Sequence, residues 1–114
     1  MTESIGIKIN EIVSQFVDVY LAEAETEEYP YAVYTSTITP VYTKDGIDHY
    51  QSDVVITIYD KDLDAINPIA SKIQQAIISL MSGGKYSARQ LRDYSDCTDG
   101  IWSREISYTI NQYY

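Results

Sequence analysis

The chain reads as α+β: a two-layer domain in the order α-β-β-α-β-β, with a mainly antiparallel sheet packed on two helices. Three observations predict it. Two segments carry apolar residues at spacings of three and four, the mark of one buried helical face. Each is followed by two runs rich in Tyr, Val, Ile and Thr, residues that favour strands. The runs are joined by the same turn, Asp45-Gly46-Ile47 and then Asp99-Gly100-Ile101. Asp-Gly favours tight hairpins because both residues tolerate positive φ.

The first helical stripe consists of Ile5, Ile9, Ile12, Val13, Phe16, Val17, Tyr20 and Leu21, with Thr2 or Ser4 available as a cap. It is expected to fade in the acidic stretch 22–28, which holds Glu23, Glu25, Glu27 and Glu28 and precedes Pro30. Four clustered carboxylates repel one another and lie at the wrong end of a helix dipole. Residues 31–44 and 47–60 then form the first hairpin. A two-residue Asp45-Gly46 turn sets Val33 opposite Ile58, Thr35 opposite Ile56, Thr37 opposite Val54 and Val41 opposite Tyr50, all facing the helices. Pro40 donates no hydrogen bond and so calls for an edge or a bulge. The other face then carries Tyr34, Ile38, Tyr42, Val55 and Tyr59, more apolar than a solvated sheet face requires.

The second helix uses Ile66, Ile69, Ala70, Ile73, Ala76, Ile77, Leu80 and Met81. Asn67-Pro68 matches an N-cap with a first-turn proline, with Asp62 as an earlier alternative start, and Gly83-Gly84 ends the helix. Residues 86–96 and 101–113 form the last hairpin, with Trp102, Ile106, Tyr108 and Ile110 inward. A two-residue turn there would set Cys97 beside Trp102, Leu91 beside Tyr108 and Asp93 opposite the apolar Ile106. A looser turn or a bulge is therefore expected in this hairpin, and the first hairpin is expected to be the regular one.

All 114 residues (1–114) are expected to form a single domain. The net charge of −9 makes binding to nucleic-acid phosphates unfavourable, so no specific nucleic-acid partner is expected. One cysteine excludes an internal disulfide, and one histidine, His49, excludes a His-based metal site or triad within the chain. No signal-peptide pattern and no apolar run of spanning length occurs, so neither export nor a membrane partner is expected. No phosphate loop, dinucleotide fingerprint, HExxH or GxSxG is present. Gly83-Gly84-Lys85 ends a helix, where carbonyls and not amides point outward. The aspartates flanking the two turns read as turn formers. No catalytic residue, cofactor or metal ligand is assigned, and the chain is expected not to be an enzyme. Twelve tyrosines against one phenylalanine and one tryptophan point instead to half-exposed sheet faces and protein interfaces.

Several segments carry a family resemblance. Tyr29-Pro30-Tyr31-Ala32-Val33-Tyr34, Asp53-Val54-Val55-Ile56-Thr57-Ile58-Tyr59-Asp60, the 67–81 helix and Gly100-Ile101-Trp102 through Ile110 resemble the siphophage and prophage tail-completion proteins, of the tail-terminator or minor tail component type. The resemblance implies a small α+β structural subunit that forms a ring, often hexameric, capping the tail tube and meeting the head connector. It implies no catalysis and no cofactor. Its partners would be copies of itself, the tube protein and the connector, and its location the virion tail, after assembly in the host cytoplasm. Candidate interface residues are Tyr29, Tyr31, Tyr34, Ile38, Tyr42, Asp45, Gly46 and Tyr59; Glu23, Glu25, Glu27 and Glu28 are candidates for a lumen-facing acidic lining. The alternatives are a ferredoxin-like ligand-binding or regulatory module, whose β-α-β-β-α-β order is a circular permutation of this one, and an accessory subunit of another complex.

Overall fold

The computed structural model describes residues 5–21, 28–84 and 86–113. Its elements are α1 (Ile5–Ser14), β1 (Asp18–Leu21), β2 (Tyr31–Thr43), β3 (Gly46–Asp60), α2 (Leu63–Leu80), β4 (Tyr86–Thr98) and β5 (Ile101–Tyr113), with a short 3-10 turn at Met81–Gly83. The strands lie in the order β1-β2-β3-β5-β4. β1 pairs parallel with β2 and every other neighbour is antiparallel, so the sheet is mixed.

The expected α-β-β-α-β-β order needs one correction, because β1 is an additional strand. The helical stripe runs true through Val13, and the helix then closes with Phe16 and Val17 both donating to the Val13 carbonyl, at 3.0 and 3.1 Å. From Val17 the period changes from four to two. Val17 is buried and Val19 packs against the core, whereas Asp18 and Tyr20 pair with Tyr31 and Val33 on the opposite face. A run of β-branched and aromatic residues beside an unpaired edge gains more as a strand than as another helical turn. Residues 22–27, expected as a solvated acidic loop, lie outside the described residues.

Both helices cover one face of the sheet. Ile9, Ile12 and Val13 of α1 and Ile66, Ala70, Ile73 and Ile77 of α2 close over Ala32, Tyr34, Val54, Ile56, Ile58, Ile106, Tyr108 and Ile110. Each fully buried isoleucine contributes about 1.5–3 kcal/mol relative to exposure. α2 begins a turn earlier than Asn67 implies, because Asp62 is the N-cap and accepts from the Asp64 N–H at 3.0 Å. Pro68 therefore lies inside the helix. The helix ends as expected at the glycines, with Gly84 left-handed at φ 74° and its N–H donating to Met81.

Both hairpins carry a bulge, so the first is less regular than expected, and it is the second whose Asp-Gly pair forms the tight turn. At the second turn both Asp99 (φ 53°) and Gly100 (φ 80°) have positive φ, and Thr98 pairs with Ile101, a two-residue mirror-image turn. At the first, only Gly46 has positive φ (115°), and Thr43 pairs with Gly46. A bulge follows between Val41 and Tyr42, where Val41 pairs with His49 and Tyr42 with Ile47, leaving Asp48 unpaired. Together these place Ala32 opposite Ile58 and Tyr34 opposite Ile56, one residue away from the expected register. A one-residue slip moves every side chain of a strand to the other face. β3 faces as expected, but β2 is reversed: Ala32 and Tyr34 are core, while Val33, Thr35, Thr37 and Val41 lie with Val55 and Tyr59 on the other face, left uncovered by the described helices. Pro40 satisfies both expectations, since it sits beside this bulge and on a stretch of β2 beyond the reach of β1.

Candidate assembly surfaces

The uncovered sheet face gathers tyrosines at one end. Tyr31 and Tyr59 are cross-strand partners, and their rings stack at 5.1 Å with planes 27° apart. Tyr29 stacks on Tyr31 from its other side at 5.4 Å, and Tyr20 of β1 meets Tyr31 edge-on at 6.3 Å. Ring pairs in such geometry are worth about 0.5–1.5 kcal/mol beyond the area they bury. Lys61 Nζ lies 5.8 Å from the centre of the Tyr29 ring, a cation–π contact. Three of the sequence-derived interface residues, Tyr29, Tyr31 and Tyr59, are thus brought together. Tyr20 joins them unforeseen, because its place on the helical stripe hid the strand that carries it.

The other interface candidates lie elsewhere. Tyr34, expected on the uncovered face, is a core residue whose hydroxyl accepts from Asn10 Nδ2 at 3.3 Å. Ile38 and Tyr42 lie on the helix-side face of β2, whose far end forms an arm with β3. β5 reaches β3 only as far as His49, and α2 spans about 27 Å against about 50 Å for β3. The arm therefore overhangs the helices, with Asp45 and Gly46 exposed at its tip. Tyr42 and Ile47 are 67% and 43% exposed there, whereas Ile38, opposite buried Ser52 and within the reach of β5, is 48% exposed. Of the acidic candidates, Glu28 is exposed, and Glu23, Glu25 and Glu27 lie outside the described residues.

An electrostatic cluster joins α2 to the second hairpin. Asp93 does stand opposite Ile106, as a two-residue turn demands, and Arg104 makes that position tolerable. Arg104 Nε donates to Asp93 Oδ1 at 2.9 Å, Nη2 to Oδ2 at 2.7 Å, and Nη1 to Asn67 Oδ1 at 3.0 Å. Gln74 Nε2 donates to Asp93 Oδ2 and to Gln90 Oε1, both at 3.3 Å, and the Tyr108 hydroxyl also donates to Gln90 Oε1. The hydrogen bonds from Arg104 hold the Asp93 carboxyl below its ordinary pKa, and the same pairing raises that of Arg104. Burial, reinforced by the Asp93 charge, pushes Tyr108 up to about 12. The expected bulge is present but lies farther along, between Gln90 and Arg92, so that Gln90 and not Leu91 pairs with Tyr108. A carboxylate committed to a guanidinium fork anchors a helix to a hairpin; it is not poised to exchange protons near neutrality.

Cys97 is exposed at the hairpin end beside Trp102. His49 hydrogen-bonds through Nδ1 with Asp48 Oδ2 at 2.7 Å. Among the described residues, no group of three or more His, Cys, Asp or Glu side chains could hold a metal ion, and no helix is long and apolar enough to cross a membrane. The chemistry on view is that of surfaces: stacked phenols, exposed aliphatic side chains on an overhanging arm, and charges at the sheet edges.

No protein-family model matches the chain, and no curated protein matches it in sequence. Among solved structures the fold is similar to that of a chain in the virion of a native gene transfer agent (GTA) particle, with a TM-score of 0.63 and 12% identity, covering 93% of this chain and 84% of that one. At that identity the likeness is one of fold.

Proposed function

We propose that the protein is a structural subunit of a phage-like virion, and within it a tail-completion protein that forms a ring capping the tail tube and meeting the head connector. The observation that carries this reading is the fold shared over nearly the whole chain with a component of a gene transfer agent virion. It agrees with the tail-completion resemblance of the sequence. The surfaces suit assembly: a tyrosine ladder at one end of the uncovered face and an overhanging arm whose exposed apolar side chains a partner would bury. In a ring each subunit meets the next through two different patches, a heterologous contact that closes by rotation. An acidic lining at Glu23, Glu25, Glu27 and Glu28 would keep passing DNA from adhering, by repulsion.

Sedimentation velocity and negative-stain imaging of the purified protein test the reading. Closed rings of uniform size are the expected result. A strict monomer at high concentration and low salt would overturn ring formation.

A further inference from the structure

The two edges of the uncovered face carry complementary groups. At one edge β1 presents Asp18 and Tyr20, and at the other β4 presents Arg89 and Arg92. All four side chains lie on the same face, because the ladder Asp18–Tyr31–Tyr59–Ser103 shares its parity with Thr37–Asp53–Thr109–Arg89. Asp18 and Arg89 are exposed, and neither has an ion-pair partner among the described residues. Arg92 already shows the chemistry in question: its guanidinium lies 4.7 Å over the Tyr94 ring, with Glu105 3.5 Å from its Nε.

We infer that Arg89 and Arg92 of one copy dock on the Asp18–Tyr20 edge of the next, and that this contact fixes the stagger between neighbours. The inference rests on the assembly reading above. β1 runs antiparallel to β4, so a head-to-tail neighbour sets these edges against each other in the antiparallel sense. With no stagger, Asp18 meets the row of Asp96, a like charge, and Tyr20 meets that of Tyr94. A slide of four residues, about 13 Å, keeps the parity and changes the partners. Arg92 then faces Asp18, and Arg89 faces the Tyr20 ring. Carboxylate pairing and stacking on a phenol are the two contacts that a guanidinium makes best.

The contact is made by side chains and not by a continuous sheet. β1 has only four residues, the open stretch of β2 contains Pro40, and β4 is bulged at Leu91. Short, proline-bearing and bulged edges resist strand annealing. An interface built on exposed charges also weakens with salt.

Charge reversal tests this in three samples. Asp18→Arg and the double variant Arg89→Glu/Arg92→Glu should each retain the far-UV spectrum and melting temperature of the parent but sediment as monomers. Mixed one to one, they should assemble, because the arginine introduced by Asp18→Arg meets the glutamates of the double variant while the next junction keeps the parental charges. Native mass spectrometry should then find the two in equal numbers in every assembly. Variants that assemble like the parent would overturn this contact and leave ring formation standing. Folded variants that stay monomeric when mixed would also overturn it. A parent that never assembles would remove both readings.

Discussion

Arg104 holds Asp93 in a fork of two hydrogen bonds, at 2.9 and 2.7 Å, on the helix-side face of the second hairpin. The pair lets an aspartate stand opposite buried Ile106 and ties the hairpin to α2 through Asn67 and Gln74. The folded-state pKa of Asp93 is lowered, so the unfolded chain takes up the proton first as the solution is acidified. The stabilisation is thus fully present above the ordinary carboxylate pKa of 3.8 and is lost as pH falls through the lower, folded value. Asp93→Asn should cost about 1–2 kcal/mol at neutral pH, by the usual worth of a partly exposed, charge-assisted pair. Urea unfolding from pH 6 down to pH 2 should show the gap between parent and variant narrowing below about pH 4.

Tyr108 gives the opposite pH dependence. Its pKa is raised to about 12, mainly by burial, so the unfolded chain ionises first, near pH 10. Its contribution is complete below pH 10 and declines as pH rises toward 12. Tyr108→Phe should cost about 0.5–1.5 kcal/mol near neutrality through the lost hydrogen bond to Gln90. Across pH 10–12 the variant should lose less stability than the parent, read as parallel thermal melts.

The two turns differ in what they demand of glycine. No atom lies within 4 Å of a Cβ added at Gly46 or Gly100, so the cost of a side chain is purely conformational. Gly100, at φ 80°, borders the left-handed well that other residues enter at about 1–2 kcal/mol. Gly46, at φ 115°, lies outside that well. Gly46→Ala should therefore destabilise the protein more than Gly100→Ala, with denaturant midpoints as the measure.

Much of the fold was legible wherever one face of a segment was decisively more apolar than the other. Ile73 and Ile77 on α2, Ile56 and Ile58 on β3, and Ile106 and Ile110 on β5 all face inward as their spacing requires. β2 was not legible, because its faces are nearly balanced: Tyr31, Val33 and Val41 on one, Ala32, Tyr34 and Ile38 on the other. With no gradient in burial, register passed to the turn and to a one-residue bulge at Asp48, which leaves no mark in hydropathy. Asp93 misled for a different reason. Its compatibility with the core depends on Arg104 and Gln74, eleven and nineteen residues away, and only the fold brings them together. The tyrosine ladder was legible only in part: strand patterning put Tyr59 on that face, whereas Tyr31 joined it through the one-residue shift of β2 and Tyr20 needed β1.

The overhanging arm separates stability from assembly most directly. Tyr42 lies on its helix-side face beyond the reach of β5 and is 67% exposed, so its apolar surface adds little to folding. Replacing it with aspartate should change unfolding free energy by no more than about 0.5 kcal/mol, as for other surface substitutions. If the proposed virion role holds and a partner buries the arm, the same change introduces a desolvated charge into an apolar contact, a cost of several kcal/mol. Tyr42→Asp should therefore melt like the parent yet, on that reading, fail to enter particles when assembly is reconstituted with the variant. Ile73→Asp, within the fully buried core, should fail both measurements. Normal incorporation of Tyr42→Asp would show that the arm stays solvated in the particle.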